Sequence, residues 1–294
     1  MEIIYHPRNM TSWSNRMIRA GRRIALVPTM GYFHEGHAGL MRLAGEHADL
    51  VVVSLFVNPL QFGPDEDLDR YPRDFTRDRR IAEEQGVSVL FAPRDGSMYD
   101  AGHQTTVQVH GLTKNLCGAH RPGHFTGVTT VVAKLFHLVK PHCAVFGEKD
   151  YQQLAVIRKM TADLNWDIEI IAHPLVREAD GLALSSRNRY LTPEMRKSAL
   201  SLSRGIRLAR ELVAGGIRES DRLRQAVRES ILAHPDTAIE YISFVDRNSL
   251  REKEVVDADT LLALAVNIDG KVRLIDNAML FTRKRSADDN LLPQ

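Results

Sequence analysis

Two histidines and two glycines lie close together in residues 28–37, PTMGYFHEGH, directly after the apolar run 24–27. His34 and His37 are three residues apart, so at the start of a helix they can present two imidazole rings to one anion. A turn from a strand into a helix binds phosphate well, because free backbone N–H groups and the helix dipole both favour negative charge. The segment therefore predicts a nucleotide site.

Three other interpretations of this segment stay open. Gly31 and Gly36 have the spacing of a Walker A loop. That motif requires Lys and then Ser or Thr, and this sequence has His37 and Ala38 instead. A zinc-protease helix would place its histidines four residues apart rather than three. Two purely structural histidines are the third alternative.

A second polar group follows the apolar run 50–57, where the sequence Asn58-Pro59 predicts a sharp turn. Gln61 comes directly after this turn, so its side chain is predicted at the same sheet edge. An amide both donates and accepts hydrogen bonds, which suits a hydroxyl and a carboxylate of one ligand. An exposed loop glutamine is the alternative, and the acidic stretch 65–71 is expected to be a solvated loop.

Cationic groups occur in two further segments. Lys149 follows the apolar run 143–146 at the predicted start of a helix, where it can neutralise phosphate, and Gln153 lies one turn further on. Ser185, Ser186 and Arg187 form a loop whose hydroxyls and guanidinium can bind phosphate oxygens. Taken alone, a Ser-Ser-Arg sequence is also typical of an ordinary surface loop.

Short apolar runs that alternate with helical patterns predict the elements that hold these residues. The runs are mostly continuous rather than alternating in polarity, as expected for strands covered by helices on both faces. The pattern predicts an α/β fold with a Rossmann-like, doubly wound parallel sheet. The predicted strands are 24–27, 50–57, 87–91, 143–146 and 168–172.

Two helices are well defined by the sequence. Apolar residues recur at steps of three and four through 127–140, and Pro141 ends that pattern. A second helix is predicted from Asp74 to Gln85, with Gly86 as its C-terminal cap.

The pattern changes after residue 175, which divides the chain into a Rossmann-like domain, 1–175, and a smaller α+β domain, 176–294. The second domain is expected to close over the first as a lid, and its tail from residue 283 is expected to fray. Its predicted elements are a long helix after Pro193, a helix at 220–233 and strands at 241–245, 261–266 and 272–275.

The composition narrows the class of protein. The 294 residues carry a formal charge of only +2, unlike a nucleic-acid binder. The start of the sequence has no apolar signal core, and the longest apolar run, 50–57, is too short to span a bilayer. A cytoplasmic protein with no membrane partner is predicted. Cys117 and Cys143 are expected to be free thiols.

These four segments, in this order and spacing, resemble the pantothenate synthetase family of the His-x-Gly-His nucleotidyltransferase superfamily. Residues 121–125, RPGHF, and 273–277, RLIDN, extend the resemblance to nearly the whole chain. It implies a ligase in which ATP and pantoate form a pantoyl-adenylate and pyrophosphate. β-Alanine then attacks to give pantothenate and AMP. Magnesium and a homodimer built through the first domain are implied as well.

The resemblance also implies residue roles. Gln61 and Gln153 are expected to bind pantoate, Asp78 to bind magnesium, and His37 to donate a proton. The expected catalytic residues are His34, His37, Lys149, Ser185, Ser186 and Arg187. The expected ATP-binding residues are Met30, Gly31, Tyr32, Phe33, His34, Glu35, Gly36, His37, Gly147, Glu148, Lys149, Asp150, Val176, Leu184, Ser185, Ser186 and Arg187.

Small departures from the family pattern, at Tyr32 and Phe33, at Asp100 and at Thr126, affect the expected pocket shape rather than a polar role. Two other functions stay open. A different nucleotidyltransferase would make a dinucleotide-like product or charge a tRNA, and the charge of +2 argues against tRNA. A regulatory module would bind ATP without turnover.

Overall fold

The computed structural model describes residues 1–64 and 66–281, which group into two compact units. The first unit consists of Met1–Ala179 and Ala183–Arg189, and the second of Asp180–Leu182 and the chain from Tyr190 onward. Residues 176–179 and the Ser-Ser-Arg loop thus belong to the first unit, although the sequence had assigned them to the second domain. The predicted lid role stays a prediction, and the predicted frayed tail lies outside the described residues.

The first unit contains a parallel sheet. Neighbouring strands run parallel in the order β1-β4-β3-β2-β5-β6. The strands are β1 (Glu2–Ile4), β2 (Ile24–Thr29), β3 (Leu50–Leu55), β4 (Val89–Phe91), β5 (Cys143–Gly147) and β6 (Glu169–His173).

Helices connect these strands, together with short 3-10 turns at Pro59–Gln61 and Glu148–Asp150. A third 3-10 turn, Ser186–Tyr190, follows β6. The helices of this unit are α1 (Pro7–Arg19), α2 (Glu35–His47), α3 (Phe75–Glu84), α4 (Asp95–Met98), α5 (Cys117–His120), α6 (His124–Val139) and α7 (Tyr151–Asp163).

The predicted α/β class with a doubly wound parallel sheet is confirmed. Strand β2 begins at the predicted Ile24, and α6 ends one residue before its predicted end because Lys140 turns left-handed, with φ 51°, ahead of Pro141. Asp74 caps α3 by accepting a hydrogen bond from the Arg77 backbone N–H at 3.0 Å. The sequence did not predict β1 and α1.

The strand order fixes where a ligand can bind. From β2 the chain winds through β3 to β4 on one side, and then crosses β2 to continue through β5 and β6 on the other. The direction of winding reverses between β2 and β5. Open α/β sheets bind ligands in the crevice beyond the carboxyl ends of the strands at such a point.

Helix α6 and the Pro59–Gln61 turn approach each other very closely. A Cβ on Gly127 would lie only 2.2 Å from the carbonyl oxygen of Leu60. Asn58 is 1% exposed, and its Nδ2 donates to the carbonyl oxygens of Gly127 at 3.0 Å and of the Gln61 side chain at 3.1 Å. Glycine at residue 127 therefore lets the turn pack closely against the helix. In this position Asn58 can hold the side-chain amide of Gln61.

The second unit is an antiparallel sheet packed with two helices. Its strands lie in the order β7-β8-β9. One hydrophobic cluster joins the sheet to the helices, and it includes Leu202, Val227, Phe244 and Leu264. The elements are α8 (Pro193–Ala214), α9 (Ser220–Leu232), β7 (Thr237–Asp246), β8 (Thr260–Ile268) and β9 (Val272–Met279). This arrangement agrees with the predicted α+β class.

Across residues 1–64 and 66–281, no helix combines the length and the apolar character needed to cross a membrane.

Candidate active site

A cavity of about 240 Å³ in the first unit is lined by residues at the carboxyl ends of β2, β3 and β5. This is the switch point that the sheet order defines. Most of the predicted ligand-binding residues line it: Met30, His34, Gly36, His37, Gln61, Gly147, Lys149, Asp150, Gln153, Val176, Leu184, Ser185, Ser186 and Arg187. The fold thus brings the four sequence segments together around one space.

The two histidines of the first segment lie side by side at the start of α2. Their ring centroids are 4.1 Å apart, and His34 is the N-cap of the helix. The backbone N–H of His34 donates to Nδ1 of His37 at 3.3 Å. The proton of neutral His37 must therefore sit on Nε2, which makes that nitrogen a hydrogen-bond donor.

Both imidazoles are held in the neutral form. Burial, followed by the charges of Lys149 and Arg77, lowers the pKa of His34 to about 4. Burial and then the neighbouring His34 and Lys149 lower the pKa of His37 well below its ordinary value. Nδ1 of His34 is buried and has no hydrogen-bond partner within the described part of the chain. The pair can thus donate and accept hydrogen bonds with a ligand near neutral pH.

Lys149 and Arg187 bring positive charge to the cavity. Lys149 lies on the turn after β5, with Nζ 3.7 Å from a carboxylate oxygen of Asp150. Arg187 donates through Nε and Nη2 to the two carboxylate oxygens of Asp67, at 3.0 and 2.7 Å. Burial alone would lower the pKa of Arg187, but Asp67 raises it above the ordinary value.

A second polar group surrounds Gln61, which is 8% exposed. Its backbone carbonyl accepts hydrogen bonds from Nδ1 of His124 at 2.8 Å and from Nη2 of Arg121 at 3.2 Å. His124 therefore carries its proton on Nδ1, and burial followed by the Arg121 charge lowers its pKa to about 4. Arg121 also forms a two-pronged ion pair with Glu66, at 2.6 and 2.5 Å.

The sequence did not assign a role to several residues that line the cavity, namely Asn58, Tyr71, Arg121, His124 and His173. Arg121 and His124 stand in the segment that extended the family resemblance, so their position was available as a signal. His173 ends β6, and a Cβ on Gly39 would lie 2.5 Å from its Nε2. No sequence pattern indicated that packing.

Some of the predicted ATP-binding residues do not line this cavity in the described structure: Gly31, Tyr32, Phe33, Glu35 and Glu148. Phe33 is 0% exposed and packs in the core, with its ring centroid 5.4 Å from that of His37. Glu35 is exposed and pairs with Arg42. The ATP-binding roles of these five residues stay predictions; Gly31, Tyr32 and Phe33 form the turn that leads into α2, and Glu148 begins the 3-10 turn after β5.

Asp78 is held by the backbone of another segment, and the magnesium role expected of it stays a prediction. Its side chain is 1% exposed and lies outside the cavity lining, and its oxygens accept hydrogen bonds from the backbone N–H groups of Tyr32 and Phe33. Burial raises its pKa, and these two backbone hydrogen bonds partly oppose that rise. Nowhere in the described ranges do three or more His, Cys, Asp or Glu side chains form a group that could hold a metal.

The fold and the site, with its sheet switch point, paired neutral imidazoles and three cationic side chains, define this chain as an α/β enzyme of the nucleotide-binding class. The family model for pantoate-beta-alanine ligase matches residues 2–279. The chain therefore belongs to the pantoate–β-alanine ligase family, which confirms the ligase predicted from the sequence.

Individual relatives agree with this assignment. A pantothenate synthetase from Heliobacterium modesticaldum is 57% identical over 280 residues, which is 95% of this chain and 99% of the relative. The corresponding protein from Geobacter sulfurreducens is 55% identical over 280 residues, with the same coverage.

Solved structures of pantothenate synthetases have the same fold. The Thermus thermophilus protein superposes with a TM-score of 0.91 at 44% identity, covering 96% of this chain and 100% of the other. A Francisella tularensis pantoate-beta-alanine ligase, crystallised with beta-gamma ATP and beta-alanine, gives a TM-score of 0.79 at 32% identity. That alignment covers 96% of this chain and 99% of the other.

Proposed function

We propose that this chain joins pantoate to β-alanine with ATP, through a pantoyl-adenylate, to give pantothenate, AMP and pyrophosphate. The proposal rests on one cavity that is lined by two sets of side chains. One set can bind phosphate, and the other consists of amides. His34, His37, Lys149 and Arg187 form the first set, and Gln61 and Gln153 the second. Two subsites in one cavity suit a reaction between a nucleotide and a small hydroxy acid.

The first half-reaction brings two anions together, since the pantoate carboxylate attacks the α-phosphorus of ATP. Such a step depends on donors and positive charge placed where negative charge accumulates. Lys149 and Arg187 provide the charge, and the Nε2–H of His37 provides a donor that needs no protonation at neutral pH. Ser185 and Ser186 add hydroxyl groups to the same cavity.

The amide of Gln61 is oriented for the acid substrate. Asn58 donates to its oxygen, which directs Nε2 toward Met30 at the edge of the cavity. We propose that Gln61 and Gln153 bind the hydroxyl and carboxylate groups of pantoate. In the second half-reaction β-alanine attacks the acyl carbon of the adenylate and AMP leaves. No side chain stands out as its base, so its rate is assigned to positioning.

The metal and the assembly are the remaining parts of the proposal. We propose that ATP enters as its magnesium complex, with the ion held mainly by phosphate oxygens, as is common for Mg²⁺. We also propose a homodimer, on the strength of the family resemblance, and sedimentation at twice the mass of one chain is the expected result. The cytoplasmic location stays a prediction from the sequence.

Isotope exchange tests the adenylate directly. Labelled pyrophosphate should enter ATP when the enzyme has magnesium, ATP and pantoate but no β-alanine, because the first half-reaction is reversible. The exchange should stop when pantoate is left out. Release of ADP, or the absence of exchange in protein that still forms the amide, would overturn the adenylate mechanism.

A further inference from the structure

The carboxylate of Asp78, in the first turn of α3, is committed to the backbone of a different segment. Oδ2 accepts a hydrogen bond from the N–H of Tyr32 at 2.7 Å, and Oδ1 accepts one from the N–H of Phe33 at 2.6 Å. Hydrogen bonds between a backbone N–H and an ionised carboxylate are about twice as strong as neutral ones. One side chain therefore anchors two consecutive peptide groups.

The anchored segment has an unusual backbone conformation. Gly31 has φ +87° and Tyr32 has φ +53°, so both lie in the left-handed region, which is unfavourable for a residue with a Cβ. A Cβ on Gly31 would lie 2.9 Å from Oδ2 of Asp78. The carboxylate thus requires glycine at residue 31 and compensates for the conformation of Tyr32.

This turn leads directly into the paired histidines. Phe33 is followed by His34, the N-cap of α2, and the buried Phe33 ring packs against His37. A shift of the 31–33 backbone would move both imidazoles relative to Lys149. Catalytic positions have to be held to within about 0.5 Å, so the anchor has consequences for rate.

We propose that Asp78 is a positioning residue for adenylate formation, whose carboxylate fixes the 31–33 turn so that His34 and His37 face the phosphates. The inference rests on the proposed role of these histidines in the first half-reaction. It replaces the magnesium role that family resemblance gave to Asp78. Both oxygens are engaged by the backbone, and the side chain lies outside the cavity lining.

The test compares Asp78→Asn with Asp74→Asn, a matched control on the exposed start of the same helix. Asparagine caps helices about as well as aspartate, so the control should behave like the wild type. An asparagine at residue 78 can accept only one of the two N–H groups. The kcat of Asp78→Asn for pantoate-dependent exchange of pyrophosphate into ATP should fall by about tenfold or more. The KM for ATP and the Mg²⁺ concentration for half-maximal rate should not change.

Amide hydrogen exchange gives a second readout that does not depend on turnover. In Asp78→Asn, the peptide containing residues 31–33 should lose its protection, while peptides from β5 should keep theirs. If Asp78→Asn does not fold, Gly31→Ala disturbs the same contact from the other side. It should lower kcat and expose the same amides at unchanged Mg²⁺ requirement.

Three results would overturn the inference. The first is that Asp78→Asn needs more Mg²⁺ and recovers its rate at high Mg²⁺. The second is a wild-type kcat in folded Asp78→Asn, and the third is unchanged protection of the residue 31–33 amides in that variant. Absence of exchange in the wild-type enzyme would instead refute the proposed adenylate step. The two failures are therefore distinguishable.

Discussion

His37 combines two properties that a catalytic donor needs at neutral pH. Its Nδ1 is occupied by the His34 backbone N–H, and burial keeps the ring neutral, so Nε2 carries a proton throughout the physiological range. Lys149 adds a fixed positive charge to the same cavity. This division of roles lets charge and hydrogen bonding be varied independently by mutation.

His37→Ala is expected to lower kcat for pyrophosphate exchange by about 10²-fold, the usual effect of removing one donor to a developing oxyanion. His47→Ala, at the exposed end of the same helix, serves as the control and should leave kcat unchanged. Steady-state exchange rates and far-UV circular dichroism check the two variants. A folded His37→Ala enzyme with normal turnover would show that this imidazole is only structural.

Buried neutral histidines also make stability depend on pH. His34 and His124 have a pKa of about 4 in the folded chain, mainly because burial disfavours the imidazolium, against 6.5 in an exposed chain. Between these values the unfolded chain binds more protons than the folded one. The free energy of unfolding should therefore rise as the pH increases from about 4 to 6.5. The stability that these histidines contribute is lost as the pH falls through the same range.

Urea unfolding at several pH values measures this slope. His124→Gln removes one titrating group and should flatten the curve, whereas His47→Gln on the exposed surface should not. A slope that stays the same in His124→Gln would mean that carboxylates alone produce the pH dependence.

At the level of elements, the Pro59–Gln61 turn depends on its close approach to α6. Gly127→Ala places a methyl group where the carbonyl oxygen of Leu60 now lies, so the turn has to move and carry the amide of Gln61 with it. The Kd for pantoate should rise, while the Kd for ATP stays near its wild-type value. Titration calorimetry with each ligand separately measures both effects.

Gly45→Ala is the matched control, because a Cβ there would meet its nearest neighbour at 4.0 Å. Alanine inside a helix is favoured over glycine, so this control should gain up to about 1 kcal/mol of stability. If Gly127→Ala weakened ATP binding instead of pantoate binding, the two subsites would have been assigned the wrong way round.

The sequence predicted these elements unevenly. Continuous apolar runs revealed β2, β3 and β5, because buried parallel strands are apolar on both faces. Strand β1 begins with Glu2 and lacks the longer apolar run that revealed the equally short β4. The contact of Gly127 with Leu60 and the anchoring by Asp78 join residues distant in the chain, so no local pattern could predict them. His34 and His37 were found because one short turn holds both.

On the scale of the whole molecule, each compact unit has its own hydrophobic cluster, and every residue that lines the cavity belongs to the first unit. Leu26 and Leu264 are both 0% exposed, one in each unit. Leu→Ala at such sites usually costs about 2–5 kcal/mol. We expect Leu264→Ala to lower the free energy of unfolding by this amount, without a change in KM for ATP.

Leu26 lies in β2, which leads into the turn before His34 and His37. Leu26→Ala should therefore lower the free energy of unfolding and also lower kcat. Denaturation and exchange kinetics, measured well below the unfolding midpoint of both variants, provide the comparison. An equal rise in the KM for ATP in both variants would contradict the assignment of ATP binding to the first unit alone.

The two arginines of the cavity already hold carboxylates, since Glu66 pairs with Arg121 and Asp67 with Arg187. Entry of a ligand anion at either arginine is then an internal ion exchange, in which one negative group leaves the guanidinium as another arrives. Because the carboxylate already neutralises the guanidinium, the paired site attracts an approaching anion only weakly, so its affinity should vary less with ionic strength than that of a bare cationic site. Asp67→Asn should lower the KM for ATP by up to about fivefold, the value of one partly exposed ion pair, and slow the departure of AMP. Asp69→Asn, in the same loop, should do neither.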